Sequence, residues 1–349
     1  MSFLVQKKLY AQETMYFVGS KAHYGFIIPH SPELKPVSNT NPVGGQLEIS
    51  RLRTSDAAWK TCNCYGKTGF SFVYFNYNNP QVLGSSYNLN YFVEPYFTYT
   101  KRLKFSMRGL IGVSYLSKVF DEEDNPENVF FSAPISFFLS LGLGLNYSIN
   151  KKWSLNLVAN YNHISNAGQK QPNKGMNFPT FSVGVDRVFN HIDLIAKPPE
   201  LKAYSRAFTY YAGGMLSFRS SDIDDNNTRY PLIGVLGGAM KPFSGINGVN
   251  AGLEFWYNGS SARRIEKENL DGSPFFSAVT LGHHFKFGNI YIVKQLGAYF
   301  IRPTAVQNRW LYQRYSIWYR FARKWAVSGS LIAYGHVADH MDGRLVFMF

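Results

Sequence analysis

Apolar and polar side chains alternate with a period of two along most of this chain. The clearest run is 152–165, KWSLNLVANYNHIS. In an extended strand alternate side chains share a face. Leu155, Leu157, Ala159, Tyr161, His163 and Ser165 then point one way, and Ser154, Asn156, Val158, Asn160 and Asn162 the other. The same alternation predicts strands at about 13–29, 42–54, 66–79, 85–99, 101–118, 130–149, 152–165 and 177–189. A second series is predicted at about 204–219, 230–242, 247–258, 275–288, 290–302, 309–321, 324–337 and 343–349. No segment carries helical periodicity. Between the two series, residues 190–203 (NHIDLIAKPPELKA) break the pattern, and Pro198-Pro199 excludes a central strand there.

The two series read as copies. Lys151-Lys152-Trp153 through His163-Ile164-Ser165-Asn166 recurs as Arg323-Lys324-Trp325 through His336-Val337-Ala338-Asp339, with one extra residue between tryptophan and histidine. Duplication of an eight-stranded unit follows, with Ser165 replaced by Ala338 in the second copy. Within one strand, Ser140, Gly142, Gly144, Asn146 and Ser148 alternate with Leu141, Leu143, Leu145 and Tyr147. A small, polar set facing a lumen and leucines facing lipid is the pattern of a transmembrane antiparallel β-barrel. Some sixteen strands in one wide barrel are the expectation, since tandem barrels would have to insert separately; two tandem eight-stranded barrels are the alternative. The units are 1–12 (a signal-peptide remnant), 13–189 (a first barrel repeat), 190–203 (a periplasmic linker) and 204–349 (a second repeat without the serine).

Turn lengths orient the strands. Tight connections at Thr100-Lys101, Asn150-Lys151, Gly288-Asn289 and Ala322-Arg323 alternate with longer polar ones at 30–41, 119–129, 166–176, 220–229 and 259–274. Outer-membrane barrels keep short turns in the periplasm and long loops outside. Strand 152–165 then climbs outward and ends with His163 and Ser165 at the outer rim. The alternating last strand, Arg344 to Phe349, closes on phenylalanine as such barrels do, and Val183 to Phe189 ends the first unit similarly.

Composition narrows the class. With 17% aromatic residues, 24 Tyr and 29 Phe among them, the chain has material for interfacial girdles. No apolar run reaches the roughly 18 residues of a membrane-spanning helix. A mean hydropathy of -0.19 fits a barrel whose strands are half polar, although a soluble β-sandwich or propeller shares it. The net charge of +14 is spread singly along strands and turns, which excludes nucleic acid as a partner and favours an anionic lipid surface. Cys62 and Cys64 stand alone in a C-x-C without the further ligands a metal site needs, so they read as free thiols or as a strained disulfide in an oxidising compartment. Leu9-Tyr10-Ala11 before Gln12 resembles a signal-peptidase site, but Met1 to Val5 is too short for its apolar region, so the true start is expected upstream.

The candidate chemistry lies at His163 and Ser165. Residues two apart on a strand have Cα atoms about 7 Å apart, close enough for imidazole to take a hydroxyl proton. This pair continues the apolar face, so the substrate is expected to be a lipid lying against Leu155, Leu157 and Tyr161. Elsewhere His336, His340 and Asp342 read as a relic of the same site, and His283-His284 falls on opposite strand faces. The loop Asp121 to Glu127 (DEEDNPE) reads as solvated rather than as a site for divalent cations, and no metal is expected.

The stretch His163 to Gly175, H-x-S-N-A-G-x-K-Q-P-N-x-G, resembles the signature of the PagL-type lipid A 3-O-deacylases, a resemblance covering about 13–190. It implies an eight-stranded outer-membrane barrel, without cofactor, that hydrolyses an ester-linked acyl chain of lipid A. The family's Ser–His–Glu triad maps onto Ser165 as nucleophile and His163 as base. Where the acid should stand, twelve residues after the serine, this chain has Asn177. An amide can accept the imidazole N–H and fix its tautomer without stabilising the imidazolium by charge, so a slower enzyme is expected. Asn173 and the Gly168 N–H match positions of the family's oxyanion hole. The implied partners are lipopolysaccharide and outer-membrane lipids, with a homodimer left open. The competing expectation is an inactive barrel serving as porin or scaffold.

Overall fold

A computed structural model describes residues 14–349 apart from 100, 169, 196, 198–206, 222, 225–227 and 336. The segment 1–12, Thr100, Pro198-Pro199 and His336, each read above, lie outside the described residues.

Sixteen strands form, in two rings. The first ring comprises β1 (Thr14–Gly25), β2 (Val43–Arg53), β3 (Tyr65–Asn76), β4 (Ser85–Tyr96), β5 (Leu103–Leu116), β6 (Ile135–Ser148), β7 (Trp153–Ser165) and β8 (Met176–Phe189). The second comprises β9 (Thr209–Ser220), β10 (Arg229–Pro242), β11 (Asn247–Asn258), β12 (Phe275–Phe287), β13 (Ile290–Ile301), β14 (Leu311–Arg320), β15 (Trp325–Tyr334) and β16 (Val337–Met348). The expectation of one wide barrel is therefore corrected to two closed eight-stranded barrels. β8 turns back onto β1 in the register Tyr16↔Phe189 to Gly25↔Thr180, and β16 onto β9, so neither unit keeps an open edge for the other.

Closure at eight strands leaves an interior that side chains fill. In the first barrel Lys21, Lys67 and Arg108 face Glu48, Glu94 and Asp186, all buried. Arg108 bridges Glu48 at 2.6 Å and Glu94 at 2.8 Å, and Lys67 pairs with Asp186. The second barrel repeats the device with other residues. Arg314 bridges Glu254 at 2.6 Å and Asp342 at 2.7 Å, while Arg344 meets the same two carboxylates. Charges match within each set, as they must where an unpaired ion would be costly. The outer surface is the inverse: Leu47, Ile49, Leu141, Leu143, Val183, Leu253, Leu281 and Leu296 are exposed. On β6 the expected parity holds, with Ser140, Gly142, Gly144 and Asn146 inward and Leu141 and Leu143 outward.

Several boundaries differ from the sequence reading. Residues 130–134 belong to a loop, where Phe130 and Phe131 are fully buried. The predicted strand 324–337 breaks at Gly335, whose φ of +67° reverses the chain, so β16 begins at Val337 and not near 343. Short helices occupy connections in which none was expected: α1 (Lys35–Ser38), α2 (Asp56–Cys62) and α3 (Gly259–Lys267). They are set by local caps, with Ser55 Oγ accepting the Ala58 N–H and Asn258 Oδ1 accepting from Ser260 and Ser261. At the end of α2, Cys62 and Cys64 are joined as a disulfide, the oxidised of the two open readings.

One end of the first barrel carries the long connections 26–42, 77–84, 117–134 and 166–175. Beneath them Leu34, Phe75, Tyr77, Phe130, Phe131 and Ile164 form an apolar plug. Arg108→Met would leave Glu48 and Glu94 facing each other without their shared cation. We expect a loss of about 3–5 kcal/mol, read as a lower urea midpoint of the heat-modifiable barrel.

Candidate active site

β7 lies between β6 and β8, and its last turn of alternation builds the site. His163 stands opposite Asn177 of β8, and Ser165 opposite Phe137 of β6. The two-residue spacing puts the hydroxyl and the imidazole on one face, and direct cross-strand pairing adds the amide to the same face. His163 Nε2 lies 3.0 Å from Ser165 Oγ, and His163 Nδ1 lies 2.7 Å from Asn177 Oδ1. With the amide oxygen accepting Nδ1–H, the proton is held on Nδ1. The Nε2 lone pair is then free to accept the serine hydroxyl. All three expected residues of the relay are thus brought together in one continuous chain of hydrogen bonds.

The loop after Ser165 is organised by Asn166. Its N–H donates to Asn173 Oδ1 at 3.1 Å, its Nδ2 donates to the Lys170 carbonyl at 2.7 Å, and its Oδ1 accepts the Gly168 N–H at 3.0 Å. Ala167 and Gly168 both take left-handed backbone, with φ of +59° and +76°. The two residues expected as oxyanion donors are therefore engaged differently from that expectation. The Gly168 N–H is used inside the loop, and Asn173 uses its oxygen, leaving Nδ2 as its donor end.

Gly175 is a site residue that the sequence reading left without a role. Its φ is +71°, and a Cβ there would come within 2.9 Å of His163 Cε1 and 3.3 Å of Ser165 Cβ. The signal was present as the closing glycine of the H-x-S motif, but its contact with the imidazole depends on the fold of the loop. Two further ties hold this loop down. Its Lys174 pairs with Glu33 at 2.8 Å, and His30 Nε2 meets the Lys174 carbonyl at 3.0 Å. The Lys174 ammonium lowers the Glu33 carboxyl to about 2, so the pair persists as pH falls until it approaches that value.

Leu155, Leu157 and Tyr161 run down the outer face of β7 below His163, 42%, 45% and 48% exposed. Leu141 and Leu143 flank them on β6, and Phe181 and Val183 on β8. The hydroxyl–imidazole–amide chain therefore stands at the top of an apolar outer wall, not in a lumen.

Among the described residues, the other candidates do not assemble into a second site of this kind. Asp342 is consumed by Arg314 and Arg344, and His340 Nδ1 meets Asp339 at 2.6 Å. His284 is buried, while His283 meets Asn247 Oδ1 at 3.1 Å. In the acidic loop Asp121 Oδ1 accepts the N–H groups of Glu123 and Asp124, which lowers its carboxyl pKa.

Comparison with known proteins places both barrels. A family model described as lipid A 3-O-deacylase (PagL) matches residues 51–186, which include His163, Ser165 and Asn177. A second, described as acyloxyacyl hydrolase, C-terminal domain, matches 205–349, so the second half has a family relationship of its own beyond the internal repeat. No protein with a curated description matches. Among solved structures, the chain is similar to Neisserial surface protein A at 11% identity, over 50% of this chain and 97% of that one, with a TM-score of 0.35. It is similar to the outer membrane enzyme PagL at 17% identity, over 48% and 97%, with a TM-score of 0.32. A mutant porin of Rh. blastica aligns over 96% and 100% at 11% identity, with a TM-score of 0.20. The two family matches fall one on each barrel, in chain order: the first barrel is similar to the lipid A 3-O-deacylase (PagL) model and the second to the acyloxyacyl hydrolase C-terminal domain model, and the chain is a bacterial outer-membrane β-barrel protein.

Proposed function

We propose that the chain is a serine esterase that removes an ester-linked acyl chain from lipid A, with Ser165 as nucleophile, His163 as general base and Asn177 as the residue that orients the imidazole. The observation that carries this reading is the hydrogen-bonded chain Ser165–His163–Asn177 at the head of a lipid-facing wall. A hydroxyl is a weak nucleophile at neutral pH unless an adjacent base takes its proton.

In the first half-reaction, Ser165 Oγ attacks the ester carbonyl while its proton passes to His163 Nε2. The tetrahedral oxyanion collapses, the bond to the sugar oxygen breaks, and His163 returns the proton to that oxygen. In the second, water attacks the acyl-serine, gives its proton to His163, and the free fatty acid leaves as Ser165 Oγ is reprotonated. Leu155, Leu157 and Tyr161 hold the acyl chain alongside, so the ester sits near headgroup depth, where water is available. Asn173 Nδ2 is the side-chain donor for the oxyanion. The Gly168 N–H joins it only when its bond to Asn166 Oδ1 opens.

Asn177 fixes the tautomer but carries no charge to offset the imidazolium. The filled interiors of both barrels leave the wide pore of the competing reading without support.

Three outcomes follow for lipid A from cells expressing each variant, analysed by mass spectrometry. The wild type should remove one hydroxyacyl chain and Ser165→Ala none; matching spectra from wild type, Ser165→Ala and empty vector, with folded barrel in the membrane, would sink the proposal. Asn177→Ala should slow turnover by on the order of 100-fold, and Asn177→Glu should exceed the wild type by about tenfold, because general-base catalysis depends on a correctly held and electrostatically supported imidazole. Gly175→Ala should cost at least about tenfold in kcat by displacing His163, with heat-modifiability retained.

A further inference from the structure

The mouth of the second barrel, at the end bearing α3, holds a cavity of about 130 Å³ that this reaction does not use. Four serines and two tyrosines bring hydroxyls to its wall. Ser220, Ser221 and Ser261 are 3%, 3% and 5% exposed, and Ser220 Oγ is buried without a hydrogen-bond partner among the described residues. A buried hydroxyl left without a partner is uncommon in a native fold and calls for an occupant that supplies one.

Charged side chains, Arg219, Arg264 and Asp339, and aromatic rings share the lining with them. Asp339 is the extra residue of a β-bulge, since Ile332 pairs with His340 and Ala333 with Ala338. Such a bulge re-aims a side chain, and Asp339 lies in the cavity wall, where it also pairs with Arg219 at 3.2 Å. Arg264 of α3 contributes a guanidinium, and Trp256, stacked on Phe276 at 5.3 Å, contributes an aromatic ring. Hydroxyls, one carboxylate, two guanidiniums and an indole together suit a ligand whose groups both donate and accept and whose C–H faces are apolar. That ligand is a saccharide. A bare phosphate could meet the guanidiniums of Arg219 and Arg264 but brings no C–H face to the Trp256 ring, and an acyl chain would strand the hydroxyls.

The cavity adjoins the loop of the first barrel. A Cβ on Gly168, three residues beyond Ser165, would come within 2.8 Å of the Asp339 carbonyl oxygen. We infer that the second barrel binds a sugar ring of the lipid whose acyl ester is presented to Ser165, and so positions the substrate by its head. This rests on the esterase reading for the identity of the ligand, but its binding step is measured separately from turnover.

The test is calorimetric titration of the full chain in detergent micelles with fully deacylated lipopolysaccharide, and with inorganic phosphate in parallel. Saturable binding of the saccharide and none of phosphate is expected. Ser261→Leu, which fills the cavity, and Arg264→Ala should each weaken that binding by about tenfold or more, while Ser165→Ala leaves it unchanged. With intact lipid A, Ser261→Leu should raise KM by the same factor at constant kcat, and hydrolysis of a p-nitrophenyl ester lacking sugar should not change. If Ser261→Leu fails to fold, Ser221→Val carries the same expectation. Absence of saccharide binding to the wild type, equal binding by folded cavity variants, or saturable binding of phosphate alone overturns the inference. Failure of the esterase reading looks different: lipid A stays intact in wild type and Ser165→Ala alike, while the saccharide titration retains its sensitivity to Ser261→Leu.

Discussion

Hydrocarbon offers no partner for a backbone N–H or C=O, so a sheet that crosses it has to close on itself. In this chain closure comes at eight strands, and that number sets the rest. An eight-stranded ring is too narrow for a water-filled lumen, so the inward side chains pack against one another. Arg108 between Glu48 and Glu94, and Arg314 between Glu254 and Asp342, are the consequences. With the interior occupied, a substrate can be met only on the outer wall or at the two mouths. The hydroxyl–imidazole–amide chain is on the wall, and the hydroxyl-lined cavity is at a mouth.

How much of this was legible depends on the range over which each feature is determined. The pairing of Ser165 with His163 is set by a two-residue spacing on one strand, so the alternating pattern sufficed. The inward and outward sets of β6 were legible for the same reason. Asn177 required the neighbouring strand and came through the family resemblance. Closure was not legible, because the partner of β1 is β8, more than 150 residues away in the register Tyr16↔Phe189, and alternation is silent about which strand pairs with which. The bond from the Gly168 N–H to Asn166 and the bulge at Asp339 were hidden as well, since each is a local departure from the regular period. The short helices α2 and α3 depend on single capping side chains, Ser55 and Asn258, and span too few residues to show a helical pattern.

The amide at 177 has a physical logic that belongs to the lipid wall. A carboxylate at the edge of hydrocarbon is costly unless a cation or several donors compensate it. Here the groups around His163 include the Ser165 hydroxyl, the His30 imidazole and apolar side chains such as Leu139 and Tyr161, and among the described residues no cation is hydrogen-bonded to Asn177. A neutral acceptor holds the imidazole in the required tautomer without that cost. On the proposed esterase reading, it gives up the counter-charge that would stabilise the imidazolium as the serine proton arrives. On that reading the site exchanges rate for an easier resting state.

The second barrel takes its place in the same argument. Having Ala338 where the first has Ser165, it keeps the closed ring and the neutral ion cluster and lacks the serine. Its retained structure is not explained by closure of the first barrel, which is complete without it. Its outer mouth, however, differs from the first in kind. The first is plugged by Phe130, Phe131 and Tyr77, whereas the second leaves a space walled by serines, with α3 at its rim. An apolar plug suits the end of a barrel whose business is on its flank. A polar recess beside the Gly168 loop suits the part of a lipid that stays in water while its acyl chain lies along β7. If the two proposals hold, the separation of head from tail in the substrate is matched by a separation between two barrels in the chain.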